Sequence, residues 1–503
     1  MPDNHSIDLL LINPGGRLSI YQSLGNTLAA IEPPVWAGLI ATFIEKKGFT
    51  VSILDANALD LAPEEVAERV SEIKPTLTAV VVYGHQPSAS TQVMPSVGAI
   101  SRAVKEAMPD QPLLLVGGHV ASLPEQTLRD ESVDYVCTGE GPYTVLDMLE
   151  ALKNDAVDVS SVRGLAYLDG ESYCVTPPAP LVQDLDGEMP GVAWHLLPMD
   201  RYRAHNWECF GGLDRQPYAS IYTSLGCPYK CSFCCIQAPF KDGEALAGFK
   251  PEVNTYRMWS VETMLAQIDT LVNDYGVRNF KFADELFVLN RKHVEGICDG
   301  IIERCYDLNI WAYARVDTIK PGMPEKLKKA GFNWLALGIE AANAEVRDGV
   351  SKGYSQDDIF ETVRTLREND IYIIANYIFG LPDDTMDTME ETLQLAMELN
   401  CEFANFYCTM AYPGSDLYTQ AVREGWELPE AWGGYSQHSV DTHPLPTKHL
   451  SSKEVLRFRD EAFHRYFENP LYLKMIQERF GESTVGDIQA MTTHHLERKL
   501  VQR

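Results

Sequence analysis

Twice along this chain, short apolar runs alternate with amphipathic stretches of helical period, a pattern that commits both stretches to parallel sheets covered by helices. In the first, runs at 9–12, 51–54, 79–82, 113–116 and 135–137 read as buried strands, with helix-like segments at 35–47, 63–74, 95–107 and 123–130 between them. In the second, strands are expected at 220–224, 279–283, 310–314, 334–339, 371–379 and 403–410. These strand–helix units in succession predict a partial barrel. One helix is marked by Ser260 followed by an apolar stripe of Val261, Met264, Leu265, Ile268, Leu271 and Val272. Another is marked by Ser355 ahead of Asp357 and Asp358, which suit the positive end of a helix dipole. Residues 151–216 are rich in Pro and Asp and read as a connecting region, including Tyr202-Arg203-Ala204-His205-Asn206-Trp207. The end of the chain is mostly helical, 453–467 most clearly. The expected division is 1–150, 151–216, 217–430 and 431–503.

With 503 residues the chain exceeds one ordinary core. Its 42 basic and 71 acidic side chains give a net charge of −29, which repels phosphate backbones and disfavours nucleic acid as a partner. No stretch approaches the roughly 18 uninterrupted apolar residues of a membrane span. Residues 1–8 are polar and run straight into the first strand, unlike a signal peptide. A cytoplasmic location without membrane association is therefore expected. The eleven cysteines are read against a reducing cytosol, where clustering points to metal rather than disulfides.

Three cysteines do cluster, in Gly226-Cys227-Pro228-Tyr229-Lys230-Cys231-Ser232-Phe233-Cys234, directly after the first strand of the second alternation. Thiolates from one short loop can converge on an iron–sulfur cluster, and three of them leave one iron open to an exogenous chelate. A zinc site is an alternative, with Cys235 or Cys209 as a fourth ligand, although adjacent Cys234 and Cys235 cannot easily point at one ion. Unliganded buried cysteines are the other alternative.

The Cys-x3-Cys-x2-Cys spacing, with an aromatic before the last cysteine, resembles the radical S-adenosylmethionine superfamily. The resemblance implies that Cys227, Cys231 and Cys234 hold a [4Fe–4S] cluster that cleaves S-adenosylmethionine into a radical. It extends to Phe282-Ala283-Asp284-Glu285, where the superfamily holds the methionine amino group, and to Gly338-Ile339-Glu340, which contacts ribose and carboxylate. Ala341 stands where the family often has Ser. Gly380-Leu381-Pro382 is similar to the turn bordering the adenine, and Pro413-Gly414-Ser415 follows the sixth strand. Phe233 is expected at the adenine edge.

The first alternation lacks the Gly-x-Gly-x-x-Gly of a nicotinamide-binding sheet, so Asp55 does not read as a ribose acid. It resembles instead the Rossmann-like cobalamin-binding domains of the class B radical methyltransferases. The residues that carry this are Glu32-Pro33-Pro34-Val35-Trp36-Ala37-Gly38-Leu39-Ile40, Ile53-Leu54-Asp55-Ala56-Asn57, Gly117-Gly118-His119 and Gly139-Glu140-Gly141. Glycines at such strand ends let the backbone approach a bulky cofactor closely. The Asp-x-His-x-x-Gly motif that gives cobalt a histidine is absent, so His85 is not expected as a ligand. The loop from Tyr83 to Ser90, with Tyr83 and Gln86, is the expected segment under the cobalt.

The fold expected is α/β: a Rossmann-like cobalamin-binding domain, a partial (β/α)6 TIM-type barrel and a small helical C-terminal region. The function implied is methylation of an unactivated carbon or phosphinate phosphorus of a small molecule, fed by an external flavodoxin- or ferredoxin-type electron donor. A non-methylating rearrangement or ring closure, and a carrier without catalysis, are alternatives. No catalytic acid or base is assigned; His205, Tyr407, Tyr412 and His438 are the residues that could reach a pocket, and 430–449 could cap the substrate site or merely pack on the barrel.

Overall fold

The computed structural model describes all residues except 1–6, 18, 19, 21, 23–28, 85, 87, 154–157, 351 and 503. Two sheets organise it. The first has seven strands: β1 (Leu9–Asn13), β2 (Val51–Asp55), β3 (Leu77–Val81), β4 (Leu113–Val116), β5 (Tyr135–Cys137), β6 (Leu165–Asp169) and β7 (Ser172–Val175), in the order β2-β1-β3-β4-β5-β6-β7. The first five are parallel, and almost every residue of β1, β3 and β4 is buried, as expected of strands covered on both faces. One core cluster contains Leu9, Leu11 and Leu114, and the other Leu10, Ile12 and Leu115, so neighbouring residues of β1 and β4 pack to opposite faces.

The sheet does not stop where the alternation does. β6 and β7 lie within the expected connecting region, yet they pair antiparallel with β5 and with each other. β5 is only three residues long, and this meander covers its outer edge. The rest of the connecting region folds back between the two sheets. Tyr202 is fully buried and donates its hydroxyl to Asp55 at 2.8 Å, and Asn13 donates to the other oxygen of Asp55 at 2.8 Å. The Asp55 carboxylate, which also accepts from Ala58 N–H at 3.0 Å, is thus engaged by the chain's own donors.

The second sheet comprises β8 (Tyr218–Ile221), β11 (Asn279–Phe282), β12 (Asn309–Arg315), β13 (Phe332–Glu340), β14 (Tyr372–Phe379) and β15 (Phe403–Cys408). They run parallel in sequential order from β8 to β15, and the two edge strands do not pair: a partial six-stranded barrel. The expected first strand, 220–224, divides. Ser224 and Leu225 form β9, which pairs antiparallel with β10 (Arg257–Met258). Trp207 closes the floor of the barrel with its ring against Trp311, Trp334 and Phe403. Helices Ser452–Phe467, Pro470–Phe480 and Glu482–Thr492 complete the C-terminal region. Among the described residues no helix is long and apolar enough to cross a membrane.

Candidate active site

The loop after β9 holds the three cysteines, and its shape is fixed from behind. Gly226 has φ +84°, and a Cβ there would lie 2.4 Å from the Thr255 carbonyl oxygen, so the loop can run this close to the returning chain only with glycine. Asn254 donates through Nδ2 to the carbonyls of Cys227 (3.0 Å) and Tyr229 (2.9 Å), and Cys234 N–H donates to the Cys231 carbonyl at 3.0 Å. Cys227, Cys231 and Cys234 are half-buried and free of disulfides, while Cys235 is buried. Burial pushes the Cys227 thiol up to about 11 and the Cys234 thiol up as well, so metal loading releases protons here. Among the described residues no three His, Cys, Asp or Glu side chains converge as they would on a single metal ion. A cluster gives each thiolate its own iron and so spaces its ligands more widely; three soft donors on one half-open loop fit that group.

Two neighbouring carboxylates diverge. Asp284 was expected at the methionine amino group, but its carboxylate is fully buried and turned away. It accepts from Thr223 N–H (3.0 Å), Thr223 Oγ1 (2.8 Å) and Ser224 Oγ (2.5 Å), fastening the end of β8 to the end of β11. Glu285, the next residue, lines a cavity of about 470 Å³, and burial raises its carboxyl to about 8, with Lys281 opposing and Asp284 adding to the effect. Glu340 ends β13 at a register shift with φ +64°, a strained position for a non-glycine residue. Its carboxylate is 2.8 Å from Lys352 Nζ, and both side chains are buried. At the next strand end Gly380 has φ +78°; its N–H and that of Leu381 donate to Asp384 (3.0 and 2.9 Å), while the Pro382 carbonyl accepts from Lys448 N–H at 3.0 Å.

On the facing side Tyr83 stacks on Trp36 with ring centroids 4.2 Å apart and donates its hydroxyl to the Glu140 carbonyl at 2.9 Å. His85 and Pro87 lie outside the described residues. A Cβ at Gly117 would fall 2.2 Å from the Val82 carbonyl oxygen, and one at Gly141 2.6 Å from Val116 Cγ1, so these two glycines serve close packing on the strands. Gly118 and Gly139 are less tightly packed: a Cβ would lie 3.7 Å from Ser90 Oγ at the first and 3.9 Å from the Pro239 carbonyl oxygen at the second, ordinary contact distances. Gly118 lines the first cavity described below, where a bulky group can lie against the backbone. His119 beside Gly118 is buried; its Nδ1 is 3.1 Å from Thr91 Oγ1, its Nε2 has no partner among the described residues, and burial lowers it to about 3. Glu140 was expected to touch cofactor. Its side chain instead forms a buried ion pair with Arg257 of β10 at 2.7 Å and accepts from Val182 N–H at 2.9 Å, so it is engaged away from the cavity.

Two cavities open between the sheets. Trp36, Tyr83 and Gly118 line the first together with Ser224, Gly226 and Glu285. The second, about 750 Å³, is lined by Gln86 and Gln92 from the first sheet's loops and by Phe233, Glu340, Asn376 and Tyr407 from the barrel side. Of the segment 430–449, Gln437 contributes to its wall. The Gln437 amide bonds both backbone groups of Cys408 at 2.8 Å, and Trp432 packs edge-on against His119. Tyr412 reaches the cavity and accepts from Gln92 at 3.2 Å. His205 sits at the barrel floor, 3.8 Å from Glu32, and His438 lies by Arg459; neither lines these cavities. Sequence reasoning missed Arg315, whose Nη1 is 3.8 Å from Cys231 Sγ, and Lys352; a cation at the end of β12 and another after the Glu340 turn were the available signals.

A radical S-adenosylmethionine superfamily model matches residues 221–396 and a B12-binding domain model matches 21–149. The chain is 26% identical over 475 residues to an uncharacterized methyltransferase, PH0819, of Pyrococcus horikoshii, covering 94% of this chain and 95% of the relative. It is 28% identical to the anaerobic magnesium-protoporphyrin IX monomethyl ester cyclase of Cereibacter sphaeroides, covering 89% of this chain and 69% of that one. The fold resembles the radical methyltransferase TsrM of Kitasatospora setae, solved with cobalamin and a [4Fe–4S] cluster, at a TM-score of 0.63 and 19% identity over 83% of this chain and 74% of that one. With both domain models matched in this order, the chain belongs to the cobalamin-dependent radical S-adenosylmethionine enzymes, whose cofactors are a [4Fe–4S] cluster, S-adenosylmethionine and cobalamin.

Proposed function

We propose that the chain transfers a methyl group to an unactivated carbon, or to a phosphinate phosphorus, of a small molecule held between the two sheets. The observation that carries this is the placement of both cavities at the seam, where cobalamin-side residues Tyr83, Gln86 and Gly118 face barrel-side residues Phe233, Glu285 and Glu340. When bound, the cluster and S-adenosylmethionine supply radical chemistry and cobalamin supplies a methyl carrier. The chain's part is to hold both reacting centres toward one pocket, since misplacement by about 1 Å can cost roughly 100-fold.

In this reading Cys227, Cys231 and Cys234 hold the cluster. Phe233, Glu285, Glu340, Gly380 and Pro382 surround S-adenosylmethionine, with Lys352 steadying Glu340. Tyr83, Gln86, Gly118 and Gly139 meet cobalamin, and Asp284, Glu140, Gly117 and Gly141 fix the backbone beneath them. The mostly uncharged second cavity suits a small molecule, and the −29 charge argues against a nucleic-acid substrate. Electrons come from a flavodoxin- or ferredoxin-type carrier in a cytoplasmic setting. We place the cobalamin-binding unit at about 1–175 rather than 1–150, since β6 and β7 complete its sheet.

The test is anaerobic reconstitution with iron, sulfide and hydroxocobalamin, followed by S-adenosylmethionine turnover under reductant. About four irons and one cobalt per chain, with both 5′-deoxyadenosine and S-adenosylhomocysteine formed, are expected. Retained iron and 5′-deoxyadenosine without S-adenosylhomocysteine favour ring closure, the second reading, which the cyclase relative supports. A cobalamin spectrum and affinity unchanged in Tyr83→Phe and Gln86→Ala count against the loop assignment.

A further inference from the structure

We propose that Arg315 is a positioning residue for electron uptake: its guanidinium, locked in place, lies against the Cys231 sulfur and stabilises the reduced state of the cluster held there. The inference rests on the reading of the three cysteines as cluster ligands.

Arg315 ends β12 at the rim of the barrel, and three contacts fix its head. Asp317 takes it in a fork, Nε to Oδ1 at 2.9 Å and Nη2 to Oδ2 at 3.0 Å. The guanidinium carbon lies 3.9 Å from the centroid of the Tyr229 ring, a stacking contact inside the cysteine loop itself. The remaining terminal nitrogen, Nη1, points at Cys231 Sγ, 3.8 Å away. The side chain is 9% exposed, so this charge is poorly screened by water. The fork and the ring stack need a planar guanidinium, which a lysine cannot imitate.

The redox step is a one-electron transfer. An external reductant loses one electron, and the cluster passes from the 2+ to the 1+ state; no proton or group moves. Reduction adds negative charge beside a fixed cation, so Arg315 favours the reduced state. Potentials of such clusters respond to net charge and to hydrogen bonds on their sulfurs. Within a chain of net charge −29, which opposes adding an electron, a cation placed on a ligand sulfur has a clear use.

The experiment is a redox titration of the reconstituted protein, followed by electron paramagnetic resonance, on wild type, Arg315→Met and Arg315→Lys. Iron content and S-adenosylmethionine affinity are measured beside it. Arg315→Met is expected to keep its iron while its reduced-to-oxidised ratio at fixed solution potential falls on the order of tenfold, about 59 mV. Arg315→Lys, which keeps charge without the fork, falls between it and wild type. Iron-loaded variants with the wild-type potential overturn the proposal. So does lost S-adenosylmethionine affinity at unchanged potential, which would assign Arg315 to that ligand's carboxylate. If Arg315→Met takes up no iron, Arg315→Lys decides, a wild-type potential again overturning the proposal. Absence of iron from the wild type is a separate failure, that of the cluster reading itself.

Discussion

Asp284 and Glu285 are adjacent on the chain just past the end of β11, and their side chains go to different partners. Asp284 meets donors from Thr223 and Ser224, whereas Glu285 enters an apolar cavity wall with Tyr222 and Phe240. The consequence is a pH dependence. Burial raises the Glu285 carboxyl from 4.5 to about 8, so the folded ligand-free protein holds a proton that the unfolded chain releases near 4.5. Stability is therefore greatest with respect to this group below about pH 4.5 and falls as pH climbs toward 8. Glu285→Gln removes that slope. In urea unfolding of the ligand-free protein, it is expected to exceed wild type at about pH 9 and to match it near pH 4. Identical pH slopes for the two proteins would refute the assignment. At the cysteines, Cys227→Ala, Cys231→Ala and Cys234→Ala are each expected to lose most bound iron on reconstitution, and Cys235→Ala to retain it; loss in Cys235→Ala would revive a four-cysteine site.

The elements meet at a few points where a turn must come unusually close. Pro413-Gly414-Ser415, after β15, is such a point: Gly414 has φ +89°, and a Cβ there would sit 2.5 Å from Ser122 Oγ of the first sheet's side and 2.6 Å from Ala238 Cβ of the cysteine loop. A motif that reads as an ordinary turn is thus a contact joining β15, the cobalamin side and the cysteine loop. Gly414→Ala is expected to cost about 1–3 kcal/mol, from overpacking and a disfavoured φ together. Denaturant unfolding measures this, and a change within error of zero would mean that the three segments give way freely. Glu340 shows the opposite solution. There a charged residue tolerates φ +64° because Lys352 engages its carboxylate and Tyr354 OH donates to the Gly338 carbonyl at 2.5 Å.

Across the whole molecule the first sheet's side is tied to the second half of the chain by buried charge pairs. Glu32 of the first sheet's side meets Lys281 of β11 at 3.1 Å, and Glu140 meets Arg257 of β10 at 2.7 Å. Both pairs are nearly inaccessible to water, so removing one partner strands a charge, at a cost of about 3–5 kcal/mol. Arg257→Met is expected to show this loss in thermal unfolding and to weaken cobalamin retention, since the cavity spans the same seam. The double variant Glu140→Gln with Arg257→Met recovers part of the stability, because no unpaired charge remains. Additive losses in the double variant would show that the pair acts through packing alone.

The sequence by itself determined the two strand–helix alternations, their parallel sheets and the cysteine loop, because periodicity, glycine at strand ends and thiol spacing are local properties of the chain. It also marked Gly118, Phe233, Glu285 and Glu340, which the fold brings to the walls of the two cavities. Tertiary structure decided what locality cannot. The short strands β6 and β7 carry no period strong enough to assign them to a sheet completed by hydrogen bonds to β5. Which of Asp284 and Glu285 faces the cavity depends on donors 60 residues away. Glu140 looked like a cofactor contact because its glycine neighbours sit at a strand end, and only Arg257, 117 residues later, turned it into a tie to β10. Arg315 and Cys231, 84 residues apart, become neighbours because the barrel curls β12 beside the loop that follows β9.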